Sequence, residues 1–184
     1  MAGNARFVDG STLERDHRTT REELSEVQRP IAIVLRCSDS RTSPEFVFDQ
    51  GIGDLFVCAV AGNIPTAELV ASMEYAVSML ETPLIVVMGH SGCGAVTAAI
   101  KTITEEASLP GGLPDLVSHI TPAAEQIEDL HGETAVSEVI ALNVGNGIRR
   151  IMDMSQIIRQ AIESGQVKII GGVHDLASGR FERV

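Results

Sequence analysis

Three short apolar runs rich in β-branched residues, each ending abruptly in a polar or glycine-rich loop, frame this chain: Ile31–Leu35, Leu55–Ala61 and Leu84–Met88. Unbroken apolar character over so short a span marks a strand covered on both faces, not one with a wet side. It is also far short of the ~20 residues that cross a bilayer. Between the runs the period changes. Thr66 to Leu80 places Leu69, Val70, Met73, Ala76, Val77 and Leu80 at helical spacing, and Pro83 stops it. Pro44–Asp49 and Ala95–Ile103 read as further helices, and beyond a Pro/Gly loop at Pro110–Pro114 so do 115–130 and 133–164. Val167–Gly171 reads as a fourth strand, followed by His174–Asp175 and a Ser178–Gly179 turn before Phe181. Strands alternating with helices predict a single α/β domain, with a mostly parallel central sheet of about four to five strands flanked by helices.

The chain has 184 residues, 44% of them hydrophobic, which suffices for one buried core and excludes disorder. Residues 1–26 are charge-rich and read as an N-terminal arm or solvated helical extension, with Thr20 as a cap and Glu23 three residues on. Residues 27–184 form the domain proper. A formal net charge of -11 repels phosphate backbones and anionic lipid, so neither nucleic acid nor membrane is expected as a partner. Aromatics at 3%, with no Trp and one Tyr, leave little on which bases could stack. The opening MAGNARFVDG has no apolar segment of the secretory kind, and three scattered cysteines make no disulfide framework. The cytoplasm is the expected compartment.

In open α/β sheets, sites gather beyond the carboxyl ends of the strands. The loop after the first run brings Cys37, Asp39 and Arg41 there, and the loop after the third brings His90 and Cys93. Two thiolates and an imidazole suit zinc, and Cys₂His with an open position is a catalytic zinc geometry. Asp39 is either a fourth ligand or the partner of Arg41; in the second case a position stays free for water. Taken singly, each cysteine would read as a small buried hydrophobe and the Asp39–Arg41 pair as a surface bridge. Cys58, inside an apolar run, reads as a core thiol, and His17, His119, His131 and His174 as surface or capping residues. Ser38 and Ser91 either donate to ligand sulfurs or sit in turns.

C-x-D-x-R at 37–41 followed by H-x-x-C at 90–93 resembles the β-class carbonic anhydrases. The resemblance runs from GNARFVDG to GGVHDLASGRF, with RCSDSR, FDQGIGDLFV, AGN, MEYAV and GHSGCGAV in register. It implies one zinc per subunit held by Cys37, His90 and Cys93, an Asp39–Arg41 dyad, and Asp39 as a fourth ligand only in a closed state. It implies that Gln28 hydrogen-bonds CO₂ or bicarbonate, and that Phe56 and Tyr75 line an apolar substrate pocket formed across a dimer interface. A homodimer or larger homo-oligomer follows. The implied reaction is reversible CO₂ hydration by zinc-bound hydroxide, the metal lowering the pKa of its water to about 7, as is established for carbonic anhydrases generally. A subgroup with an inhibitory bicarbonate site carries Trp and Arg where this chain has Val34 and Ala59, so no such site is expected. Carbonyl sulfide or carbon disulfide hydrolysis on the same fold is the nearest competing activity. A zinc-stabilised scaffold or a cysteine-nucleophile enzyme is the more distant one.

Overall fold

The computed structural model describes residues 1–16, 21–22 and 24–184. The apolar runs form β1 (Ala32–Arg36), β2 (Leu55–Ala59), β3 (Leu84–His90) and β4 (Lys168–His174), joined by a short β5 (Phe181–Arg183). Their order is β2-β1-β3-β4-β5, with the first four parallel and β5 antiparallel to β4. The chain leaves β1 for β2 on one side, then returns past β1 to β3 on the other. That reversal opens a crevice beyond the carboxyl ends of β1 and β3.

Burial explains why β1 and β3 lack alternation. On one face Ile33, Leu35, Ile85 and Val87 pack against Met73 and Ala76 of α3 (Ala67–Met79), Val144 and Ile151 of α7 (Ala135–Met154) and Ile158 of α8 (Gln156–Glu163). On the other face Val34, Val86 and Met88 meet Phe181 and Val47, the latter from α2 (Pro44–Val47). A third cluster gathers α4 (Gly94–Thr104), α5 (Leu113–Ser118) and α6 (Thr121–Ala124) around Cys37 and Cys93. Among the described residues no helix is long and apolar enough to cross a membrane.

The structure departs from the sequence reading in several places. The single helix expected over 133–164 is two, because Ser155 adopts extended backbone (φ -125°, ψ 109°) between α7 and α8. Its hydroxyl accepts from Ile158 N at 3.0 Å and donates to Glu74 at 2.6 Å. Ile151 and Ile158 are both fully buried, so the apolar period runs straight through the break. The segment 115–130 likewise divides into α5 and α6, with Pro122 in the first turn of α6. β4 continues through Gly171 and Gly172 to His174. A Cβ on Gly172 would fall 2.4 Å from the Phe181 ring, and one on Gly171 2.5 Å from a Val144 methyl. Glycine in this strand is the condition for β5 and α7 to approach. His174 is therefore buried, 3% exposed, and not the surface or capping residue expected.

The expected cap at Thr20 and Glu23, and His17, lie outside the described residues. Ahead of them α1 (Ala2–Val8) is docked where a solvated arm was expected. The Asn4 amide donates to Val47 O and Gly179 O and accepts from Phe181 N. Asp49, left-handed at φ 47° and buried, accepts from Arg15 Nη1 at 2.7 Å, Arg6 Nε at 2.5 Å and Leu13 N at 3.3 Å. The Arg15 guanidinium, then that of Arg6, lowers the Asp49 carboxyl from 3.8 to about 2. A depressed folded-state pKa contributes stability above the unfolded value and loses it as pH falls through the folded one. The N-terminal clamp is accordingly expected to loosen between about pH 4 and pH 2, and in Asp49→Asn already at pH 7. Hydrogen exchange of the Ala5–Leu13 amides reads this, rising while β1 and β3 stay protected; unchanged exchange in the variant contradicts it.

Candidate metal centre

Cys37 is the first residue past β1, His90 the last of β3, and Cys93 the N-cap of α4. Pairing of Arg36 with Met88 holds the two strand ends side by side. The turn Ser91–Gly92 then brings Cys93 back over them, with Gly92 at φ 64°, a conformation that glycine adopts without strain. The three side chains are buried, and their ligand atoms all lie within 4.8 Å of one another. His90 Nδ1 sits 3.0 Å from Ser91 O, which fixes Nδ1 as the protonated nitrogen and leaves a lone pair on Nε2. That Nε2 is buried without a hydrogen bond of acceptable geometry. An orphaned imidazole nitrogen beside two sulfurs is the donor set of a borderline-soft divalent cation.

The sulfurs favour the same cation. Interaction with the Cys93 thiol, helped by the Gly62 N–H at 3.3 Å from Sγ, outweighs burial and pulls Cys37 down to about 4. The hydrogen bond that the Cys93 thiol gives Cys37, together with burial, pushes Cys93 upward. The pair thus sheds one proton readily and resists losing the second, a repulsion that a cation between the sulfurs removes.

Asp39 stands at the solvent side of this group, its Oδ2 4.0 Å from His90 Nε2. Arg41 grips the carboxylate through Nε to Oδ1 (2.9 Å), Nη2 to Oδ2 (2.7 Å) and its backbone N to Oδ1 (3.0 Å). That grip holds the Asp39 carboxyl well below the usual carboxylate range. Thr42, with its hydroxyl donating to Asp39 O at 2.8 Å and Cys37 O at 3.1 Å, ties the loop together.

Five of the eight residues singled out in the sequence therefore meet at one place. The other three form a second group. Gln28 and Tyr75 line a shallow groove of about 340 Å³ that Cys37, Asp39, His90 and Cys93 do not reach. Phe56, on the edge strand β2, stacks obliquely on Tyr75 with ring centroids 6.5 Å apart. Cys58 is a core thiol, pushed up to about 11 by burial. Ser91 serves the turn, its hydroxyl accepting from Leu176 N at 2.9 Å. Sequence reasoning missed Gly62 as a contact of Cys37, and Asn143, whose amide donates to Gly62 O. The A-G-N stretch at 61–63 was the available signal for Gly62; Asn143 had none.

The carbonic anhydrase family profile matches residues 32–181. A carbonic anhydrase of Mycolicibacterium smegmatis is 39% identical over 181 residues, covering 98% of this chain and 87% of that protein. Carbonic anhydrase 2 of Mycobacterium tuberculosis is 38% identical, covering 97% of this chain and 86% of that protein. Among solved structures, the β-carbonic anhydrase CcaA superposes with a TM-score of 0.81 at 29% identity, over 91% of this chain and 85% of that one. One of two tetrameric β-carbonic anhydrases from Sordaria macrospora gives 0.79 at 26% identity, over 91% and 86%. With sequence profile, relatives and fold in agreement, the chain belongs to the β-class carbonic anhydrases.

Proposed function

We propose that this chain hydrates CO₂ reversibly to bicarbonate and a proton at a single zinc ion held by Cys37, His90 and Cys93. The observation that carries this reading is the buried, partnerless His90 Nε2 facing two cysteine sulfurs beside an arginine-locked aspartate. Bound there, zinc would act as a Lewis acid that makes water a competent nucleophile near neutral pH.

The remaining work belongs to the side chains. His90 keeps its donor tautomer through Nδ1 and Ser91 O, so the ring does not rotate out of the site. Asp39 stays ionised at neutral pH because Arg41 stabilises the anion. It therefore accepts, and does not donate, a hydrogen bond from the attacking water, fixing that water's orientation toward CO₂. Arg41 keeps Asp39 off the fourth coordination position, leaving that corner to solvent and substrate.

Gln28, Phe56 and Tyr75 act on a second copy's site in this reading. Phe56 belongs to β2, which among the described residues is an edge strand paired with β1. Tyr75 packs on Phe56 and is 50% exposed, and Gln28 shares a groove with Tyr75. An open edge with an aromatic beside it is a natural seam for a homodimer, and tetramers are described for the Sordaria macrospora relatives. Three buried free thiols suit a reducing compartment, and the cytoplasm is the proposed location.

Stopped-flow CO₂ hydration with parallel metal analysis tests the proposal. Equimolar zinc is expected, with activity lost on chelation and restored by zinc. Activity that survives complete zinc removal, or a zinc-loaded chain that hydrates CO₂ no faster than buffer, overturns it. Carbonyl sulfide and carbon disulfide, run in the same assay, are expected to turn over more slowly than CO₂.

A further inference from the structure

We propose that Asn143 is a positioning residue for the metal centre, acting through Gly62 on the sulfur of Cys37. Asn143 lies in the middle of α7 on its buried face, 4% exposed, between the fully apolar neighbours Val139, Ile140 and Val144. An amide in such a place is unfavourable unless hydrogen-bonded. Its Nδ2 donates to Gly62 O at 2.9 Å, across 81 residues of sequence. The amide of the same glycine donates to Cys37 Sγ at 3.3 Å. One residue is thus pinned at its carbonyl by a long helix and presents its N–H to a metal-ligand sulfur.

Gly62 has little of its own to hold that pose. It sits in the left-handed region (φ 75°, ψ 14°), which glycine enters and leaves freely. Packing admits no other residue there: a Cβ would lie 2.6 Å from Ile120 Cδ1 and 3.2 Å from Ala95 Cβ. The flanking bonds, Ser38 N to Val60 O and Asn63 N to Val60 O, anchor the turn on either side but leave the Gly62 carbonyl to Asn143. A backbone N–H on a thiolate withdraws electron density from the sulfur. Hydrogen bonds to ligand atoms of this kind tune the electronics of the bound metal. Asn143 therefore raises the Lewis acidity available to the reaction without touching metal or substrate. This rests on the reading that Cys37 is a zinc ligand.

The test compares the full-length protein with Asn143→Leu and Asn143→Val, which keep an apolar side chain of comparable size in place of the amide and lose the donor. Zinc affinity is read by chelator competition, and the sulfur-to-cobalt charge-transfer band by absorption of the cobalt(II)-substituted protein. Zinc affinity is expected to fall about tenfold to a hundredfold. The band is expected to move to lower energy in both variants, as the sulfur regains electron density. Wild-type affinity and an unmoved band in a folded variant overturn the proposal and make Asn143 a packing residue. Should neither variant fold, the wild-type cadmium-substituted protein decides by NMR. Scalar coupling from the metal through Cys37 Sγ to the Gly62 amide proton, together with a slowly exchanging Asn143 side-chain amide, supports the relay, and absence of either removes it. A wild-type chain that takes up no stoichiometric metal defeats the zinc reading itself, and the relay with it. A variant that keeps the wild-type band defeats the relay alone.

Discussion

Cys37→Ser and Cys93→Ser are expected to purify without stoichiometric zinc and to hydrate CO₂ no faster than the uncatalysed reaction. A serine hydroxyl does not ionise near neutral pH and is a harder, weaker donor than thiolate, so each change leaves one sulfur and one imidazole. Two ligands do not hold zinc against solvent where three with an ordered imidazole do. The fold should survive. The main core cluster around Ile33, Leu35, Ile85 and Val87 contains neither cysteine, and both belong to the smaller cluster beside α4 and α6. Burying a hydroxyl there costs about 1–3 kcal/mol, so circular dichroism should be near wild type with a lower Tm. Cys58→Ser is the discriminating control, because Cys58 lies in the main core and away from the metal ligands. It should lose stability yet keep zinc and activity. Equimolar zinc in Cys37→Ser or Cys93→Ser would remove the sulfur ligands from the assignment.

The residues that were legible in the sequence share a physical character. Cys37, Asp39 and Arg41 lie within one loop, and His90 and Cys93 within one turn, each following a strand that is apolar on both faces. Only the adjacency of β1 and β3 had to be supplied, and the position of the crevice at a reversal of strand order supplies it. What escaped depends on contacts distant in sequence. The break at Ser155 is invisible because Ile151 and Ile158 remain in phase across it. The end of β4 escaped in part: the apolar run stops at Gly171, and nothing local shows that the strand continues through Gly172 to His174 with Val144 and Phe181 closing on the two glycines. The docking of α1 rests on Asn4 bonds to Val47 and Gly179, respectively 43 and 175 residues away. The grouping of Gln28 with Tyr75, apart from the metal centre, joins residues far apart in the sequence and has no local pattern. Charge, period and motif spacing thus reach the chemistry where it is clustered along the chain, and tertiary packing decides the rest.

Asp39→Asn and Arg41→Ala, taken together, separate an orienting aspartate from a ligating one. Asn is nearly isosteric with Asp but lacks the charge that Arg41 grips through both oxygens. Zinc should be retained in Asp39→Asn, since Cys37, His90 and Cys93 are untouched, while kcat/KM falls about a hundredfold or more because the attacking water loses its oriented acceptor. The stability change should be small: the Arg41 side chain is 61% exposed and its charge is readily hydrated when the partner is neutral. Arg41→Ala acts on the other half. It frees a carboxylate that already lies 4.0 Å from His90 Nε2, close enough to swing into the fourth position. Activity should fall there as well, but with zinc held as tightly as in wild type or tighter. In the intact protein no indole or guanidinium stands at Val34 or Ala59 to draw Asp39 from Arg41, so at neutral pH the pair is expected to stay closed on itself and the metal open. The two variants thus move activity in the same direction and zinc affinity apart. Loss of zinc from Asp39→Asn would make Asp39 a permanent ligand, and with no open corner the orienting role assigned to the dyad would fall.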